Sequence, residues 1–203
     1  MRSDVPGAEA PTFDDGAWQT ISLPHTWNAE DGADGPKTRY YRGVGWYRRH
    51  VRLAPTLKGQ SLFLQFDGAA TVTDVFVNGK SVGEHRGNFA AFCFDVTNAL
   101  VQGQDNVIAI KVDNAHQADV APLSGDFTIY GGLYRPVRLL ALDPVSITPL
   151  DNAGPGVYVK QTHVDDGAAD LEITTKLRNA GTARRRCRFA VGSRAPRGAR
   201  WRR

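Results

Sequence analysis

No stretch of this sequence keeps its apolar residues at the i, i+3, i+4, i+7 spacing of an amphipathic helix for ten residues or more. A helical layer needs such stripes to bury, so strands must supply the core. What recurs instead is a short run rich in Val, Ile, Phe and Tyr, closed by Gly, Asn, Asp or Pro. Five such runs are WYRRHVRL (46–53), SLFLQFDG (61–68), TDVFVNG (73–79), NVIAIKVD (106–113) and RPVRLLAL (135–142). Each has the composition of a β-strand bounded by turns. Leu62, Leu64 and Phe66 alternate with the period of two that puts them on one face. In 106–113 both phases are largely apolar, with Val107 and Ala109 set against Ile108, Ile110 and Val112. That fits a central strand, covered on one face and only partly exposed on the other. Asn78-Gly79, between VFV and KSV, marks a tight hairpin, because a type I′ turn needs two residues that tolerate positive φ. Asn98–Val101 has room for one helical turn. The expected fold is all-β: a sandwich of about eight strands.

Charge divides the chain. The formal net charge is +4, from 25 Lys+Arg and 21 Asp+Glu. Residues 184–203, RRRCRFAVGSRAPRGARWRR, hold nine of those cations and none of the acids, so 16 cations face 21 acids over residues 1–183, a balance of −5. The basic character belongs to the tail alone. One reading of the tail is a basic arm for nucleic acid with Trp201 as a stacking aromatic. The other is an unselected, disordered end. The second is preferred, and no nucleic-acid partner is expected. The two cysteines, Cys93 and Cys187, make neither a disulfide framework nor a metal cluster, and no metal or cofactor is expected. Cys93, in FAAFCFDV, reads as a small buried hydrophobe. No window approaches the ~18 apolar residues of a membrane span, so no membrane partner is expected. The first 20 residues lack the apolar core of a signal peptide, which leaves the compartment open.

A boundary is expected near residues 143–146, at Asp143-Pro144. Beyond it VSITPL, GVYVKQTHV and DLEITTKLRNAG read as three further strands. Three strands cannot close a sandwich of their own. The expected division is therefore residues 1–143 as one β domain, 144–183 as the start of a second, and 184–203 as the Arg-rich tail.

Several stretches, taken in order, resemble the N-terminal sugar-binding domain of glycoside hydrolase family 2, which includes β-galactosidases, β-glucuronidases and β-mannosidases. They are PTFDDGAWQTISLPHTWN (11–28), YYRGVGWYRRHVRL (40–53), LFLQFDGAATVTDVFVNGKSVGEHRGNFAAFCFDVTNAL (62–100), NVIAIKVDN (106–114) and SGDFTIYGGLYRPVRLLAL (124–142). The resemblance implies a jelly-roll, galactose-binding-domain-like sandwich over 11–142, followed by an incomplete immunoglobulin-like sandwich. It also implies a carbohydrate partner, the non-reducing sugar of a β-glycoside.

The same resemblance singles out residues. Asp126, in GDFTIYGGLYR, matches the family Asp that reaches the active site and accepts hydrogen bonds from hydroxyls of the non-reducing sugar. A carboxylate suits that task, since its two oxygens can take two vicinal hydroxyls. The plain alternative is a solvated or capping Asp ahead of a strand. Gly131-Gly132 is expected to allow a tight turn and close approach, and Arg135 to fix the loop through a carbonyl or an ion pair. Trp27, Asn28 and Tyr41 are weaker substrate-binding candidates. Trp27 is either a stacking face for a sugar ring or, more often for such a residue, part of the core. His25 reads as a structural histidine. The Phe13-Asp14-Asp15 and Trp18 cluster reads as a turn with an aromatic anchor. Residues 28–45, long, polar and Gly-rich, read as an interface loop, since loops of that length are usually functional.

Retaining family members use two carboxylates about 5–5.5 Å apart, carried on a (β/α)₈ barrel of roughly 250 residues. This chain shows no alternating strand–helix pattern and no Asn-Glu dipeptide, the family's acid/base signature. No catalytic residue is therefore assigned. The expected molecule is an N-terminal piece of a β-galactosidase-like enzyme that would normally pack on a catalytic barrel, and the composition of the tail fits an out-of-frame reading of a GC-rich gene. Two alternatives stand beside it. One is a stand-alone, weak carbohydrate-binding module using an aromatic platform from among Trp27, Trp46, Tyr40, Tyr41 and Tyr130. The other is an interaction protein acting through its basic tail.

Overall fold

The computed structural model describes residues 3–31, 40–123, 127–188 and 190. Seven strands build two antiparallel sheets. They are β1 (Val44–Arg52), β2 (Ser61–Phe66), β3 (Val72–Val77), β4 (Lys80–Arg86), β5 (Phe92–Asp95), β6 (Asp105–Asp113) and β7 (Val137–Leu142). One sheet runs β1-β6-β3-β4 and the other β5-β2-β7. The inner phase of each strand meets in one core: Leu62, Leu64 and Phe66 from β2, Val75 and Val77 from β3, Ile108, Ile110 and Val112 from β6, with Trp27 and Leu133 from the loops. This is the expected all-β sandwich, with seven strands in its two sheets among the described residues where about eight were expected. Among the described residues there is no α-helix, hence none long and apolar enough to cross a membrane. The turn expected at 98–101 begins slightly earlier, where the Leu100 N–H donates to the Val96 carbonyl at 3.1 Å.

The Asn78-Gly79 hairpin joins β3 to β4, with φ of 52° and 79°. The Asn78 side chain does more than permit the turn. Its amide donates to the Ala99 carbonyl and to Asn106 Oδ1, both at 2.9 Å, and its oxygen accepts the Val107 N–H at 2.9 Å.

The two apolar phases of β6 have a structural cause. Residues 5–18 lie across the outer face of the four-stranded sheet, where Ala8, Val5, Phe13 and Trp18 pack on Trp46, Phe76 and Ala109. Arg48 pins this strap. Its side chain is only 1% exposed and its Nε–H meets Asp15 Oδ2 at 2.8 Å. Its terminal nitrogens donate to the carbonyls of Ala8, Ala10 (3.1 Å) and Phe13 (3.3 Å). The Arg48 hydrogen bond, helped by His50, holds the Asp15 carboxyl below the usual carboxylate range. Asp14 Oδ1 accepts the Gly16 N–H at 2.9 Å, and the turn brings Trp18 edge-on to Phe13 at 5.5 Å. The FDD segment is a turn with an aromatic anchor.

Residues 145–179 add two two-stranded sheets. β8 (Val145–Ile147) pairs with β11 (Leu177–Asn179), and β9 (Val157–Val164) with β10 (Ala169–Thr175). DLEITTKLRNAG thus supplies two strands rather than one, broken at Lys176, whose N–H donates to the Gly156 carbonyl at 2.8 Å. The outer face of β2 is covered from this side. Phe63 is fully buried there, with the Arg178 guanidinium 5.3 Å above its ring. Arg178 also donates to Asp95 Oδ2 at 2.5 Å and to Ser61 Oγ at 3.1 Å. The Arg-rich tail expected to be unstructured lies mostly outside the described residues; Arg184–Arg188 are exposed.

Candidate functional site

At one end of the sandwich, four segments come together: 25–31, 40–43, 114 and 127–134. Their junction is a pair of buried side-chain amides. Asn28 and Asn114 are both fully buried. Asn28 donates to Asp31 Oδ1 and to the Tyr41 carbonyl, each at 2.9 Å. Its oxygen accepts the Gly131 N–H at 2.8 Å and an Asn114 amide hydrogen at 3.1 Å. Asn114 gives its other hydrogen to the Ile129 carbonyl at 2.9 Å, and its oxygen accepts the Gly43 N–H at 2.8 Å. The full hydrogen-bonding capacity of Asn28 is used, as a buried amide requires.

Around this hub the remaining contacts tie the same loops. Thr26 Oγ1 donates to the Gly131 carbonyl at 2.8 Å, and the Ile129 N–H donates to Tyr40 Oη at 3.1 Å. Asp31 Oδ2 accepts the Tyr41 N–H at 3.1 Å. Tyr41 Oη donates to the Val44 carbonyl at 2.7 Å. The Gly132 N–H and C=O exchange hydrogen bonds with Ala70, so the loop is stitched to the start of β3.

Trp27 is 8% exposed. Its ring stacks on Tyr47, with centroids 6.3 Å apart and planes at 26°, and meets Tyr41 edge-on at 6.2 Å. A Cβ built on Gly131 would fall 2.3 Å from its Cζ2, and one built on Gly45 would fall 2.4 Å from its Cζ3. The indole therefore lies between two glycine backbones. Gly132 has φ of 110°, and a Cβ there would come within 2.3 Å of Tyr47 Oη. Both glycines of the pair allow close approach, and the second also sits in the left-handed region. Tyr47 Oη lies 2.9 Å from His25 Nδ1, and burial pushes the phenol well above its ordinary pKa. His25 is part of this packing. Arg135 donates to the carbonyls of Asp67 (3.2 Å) and Phe89 (3.1 Å), the carbonyl role expected of it.

Asp126 lies outside the described residues, as do residues 32–39 of the loop read as an interface. The described neighbours of Asp126 are open to solvent, with Leu123 at 55%, Phe127 at 50% and Tyr130 at 43% exposure. Of the five aromatics considered for a sugar platform, Trp27 and Trp46 are buried in the two cores and Tyr130 is exposed. Cys93 is half-buried rather than buried, and burial raises its thiol pKa to about 11. Among the described residues, no three His, Cys, Asp or Glu side chains gather in a way that could hold a metal ion.

Sequence reasoning named Asn28 and Tyr41 but missed Asn114, Thr26 and Tyr47. Asn114 closes the strand-like run NVIAIKVDN, where an Asn reads as an ordinary turn residue. A local pattern carries no sign that two asparagines 86 positions apart bond to one another.

Residues 14–143 match the sugar binding domain of the glycosyl hydrolases family 2. A β-glucuronidase of Bacteroides fragilis is 44% identical over 164 residues, which is 81% of this chain and 24% of that protein. A β-galactosidase of Thermoanaerobacter pseudethanolicus is 34% identical over 168 residues, 81% of this chain and 22% of that one. Among solved structures, β-glucuronidase 2 of Bacteroides uniformis, covalently bound to cyclophellitol-6-carboxylate aziridine, superposes with a TM-score of 0.83 at 36% identity. That alignment covers 88% of this chain and 21% of that one. The chain thus spans about a quarter or less of the length of these relatives.

Proposed function

Since the chain belongs to glycoside hydrolase family 2 and carries its sugar-binding domain, we propose that it supplies the sugar-recognition part of a β-glucuronidase- or β-galactosidase-type enzyme. In this reading Asp126 accepts hydrogen bonds from hydroxyls of the non-reducing sugar. Trp27, Asn28 and Tyr41 form the base that holds its loop. The catalytic carboxylates of a retaining hydrolysis would come from a barrel packed against the same end of the sandwich. The observation that carries the proposal is the hub itself. Residues 127–131 immediately follow Asp126, and three side chains from two other loops hold them: buried Asn28 on Gly131, buried Asn114 on Ile129 and half-buried Thr26 on Gly131. Exposed Leu123, Phe127 and Tyr130 flank the Asp126 position and offer apolar surface to a partner domain.

The sugar contact made by this chain alone is small, so its affinity is expected to be millimolar, about −4 kcal/mol. Titration calorimetry of the 203-residue chain with glucuronate, galactose and mannose tests this. The expected result is weak, saturable binding of glucuronate or galactose that disappears in Asp126→Ala. No turnover of nitrophenyl β-glycosides is expected. Binding or hydrolysis that persists unchanged in Asp126→Ala would overturn the reading.

A further inference from the structure

Asn28 and Asn114 raise a question that stability alone does not answer. Burying two amides is unfavourable until every donor and acceptor is met, and an apolar pair of similar volume would fill the same space. What an apolar pair cannot do is fix direction. Gly131, Ile129, Tyr41 and Gly43 all meet this pair through backbone groups of loop residues, which no strand ladder orders. The two amides take the place of a ladder there. Their polarity is also fixed. Turning either over would set carbonyl against carbonyl and amine against N–H.

We propose that Asn28 and Asn114 are positioning residues, which set where residues 127–131 stand relative to residues 41–43 and through that loop support sugar recognition. This rests on the reading of that loop given above. The pair does its work through Gly131 and Ile129 and need not touch sugar.

The chain contains its own control. Asn106 is equally buried and equally bonded. It donates to the carbonyls of Val101 (2.9 Å), Gln104 (3.1 Å) and Val51 (3.3 Å), and accepts the Val101 N–H at 2.7 Å. It stands near the opposite end of β6, roughly 26 Å from Asn114 by strand rise. A merely structural role predicts that Asn114→Asp and Asn106→Asp both lower stability and leave sugar affinity level. A positioning role predicts that only the first both releases the loop and weakens sugar binding.

The experiment compares Asn28→Asp, Asn114→Asp and Asn106→Asp in the full chain by amide hydrogen exchange, with urea unfolding to correct for global stability. Exchange at Gly131 is expected to speed at least tenfold beyond the global change in the first two variants, and not in the third. Shift titrations with glucuronate and galactose are expected to show the dissociation constant rising at least fivefold in Asn114→Asp and staying level in Asn106→Asp. If Asn114→Asp does not fold, Asn114→Ala removes the same bonds without adding a charge. Equal exchange at Gly131 in the Asn114 and Asn106 variants overturns the positioning role. Absence of saturable shifts with either sugar in the unsubstituted chain overturns the sugar reading instead, and the exchange comparison still decides the positioning.

Discussion

Gly131→Ala adds one methyl group where the structure has no room for it. The new Cβ would lie 2.3 Å from Trp27 Cζ2, 2.4 Å from Cε2 and 2.5 Å from Nε1. Apolar contacts settle near ~3.5–4.0 Å, so the ring would have to retreat by more than ~1 Å. It has nowhere to go. The Gly45 backbone lies along its Cζ3 edge and Tyr47 stacks on it. Overpacking a well-filled site usually costs about 1–3 kcal/mol, and a clamped ring belongs at the upper end, about 3 kcal/mol. For a chain of this size that is a fall in Tm of ~6–12 °C. Gly103→Ala is the reference. Its φ is +74° and nothing lies within 4 Å of the added Cβ, so it reports backbone strain alone, about 1 kcal/mol. The assay is urea unfolding followed by far-UV circular dichroism at 25 °C with linear extrapolation. Replacing Trp27 with Ala in the Gly131→Ala background should recover part of the loss, a coupling of at least ~1 kcal/mol. If Gly131→Ala costs no more than Gly103→Ala, or shows no coupling to Trp27, the clamp does not exist as described.

Two further outcomes concern the strap over the outer sheet face. Arg48→Met leaves three carbonyls without their donor and Asp15 with His50 alone, and is expected to cost about 3 kcal/mol; limited proteolysis should then cut within residues 3–18 while β1–β7 stay protected. The Asp15 carboxyl is held down by its Arg48 hydrogen bond, so its contribution is present above the unfolded pKa of about 3.9 and is lost as pH falls through the lower folded value. Asp15→Asn should be less stable than the unsubstituted chain near neutral pH, with the gap narrowing in acid-titrated urea melts once the pH falls below the unfolded value of about 3.9. A gap that stays constant throughout the acid range would remove the pair from the acid response.

How far the molecule could be read in advance depended on the range of the forces involved. Strand positions follow from side chains two residues apart, so Leu62, Leu64 and Phe66 announced β2, and Asn78-Gly79 announced its hairpin from a purely local φ requirement. The break at Lys176 was not legible, because ITTKLRN keeps a strand-like composition on both sides and the division comes from a bond to the distant Gly156 carbonyl. Nothing in WYRRHVRL sets Arg48 apart from Arg49. Arg48 is buried because residues 8–15 bring three carbonyls and a carboxylate to it across the sheet.

The candidate site is the extreme of that second kind. Most of the groups that hold it are polar groups or glycines, and neither leaves a hydrophobic period behind. Yet the outcome is not arbitrary. A loop at the end of a sandwich has backbone groups that no ladder satisfies. If the loop must also hold a carboxylate in place, as proposed for Asp126, those groups need directional partners that water would otherwise replace. Asparagine offers a donor pair and an acceptor on one short, rigid stem. Two of them back to back can serve four loops, which is what Asn28 and Asn114 do. The close-packed glycines follow from the same demand, because the hub brings Gly131 and Gly132 against Trp27 and Tyr47, where a Cβ would not fit. Sandwich and site are therefore specified by different chemistry in one chain: apolar alternation sets the sheets, and buried directional polarity sets the loops gathered at one end of them.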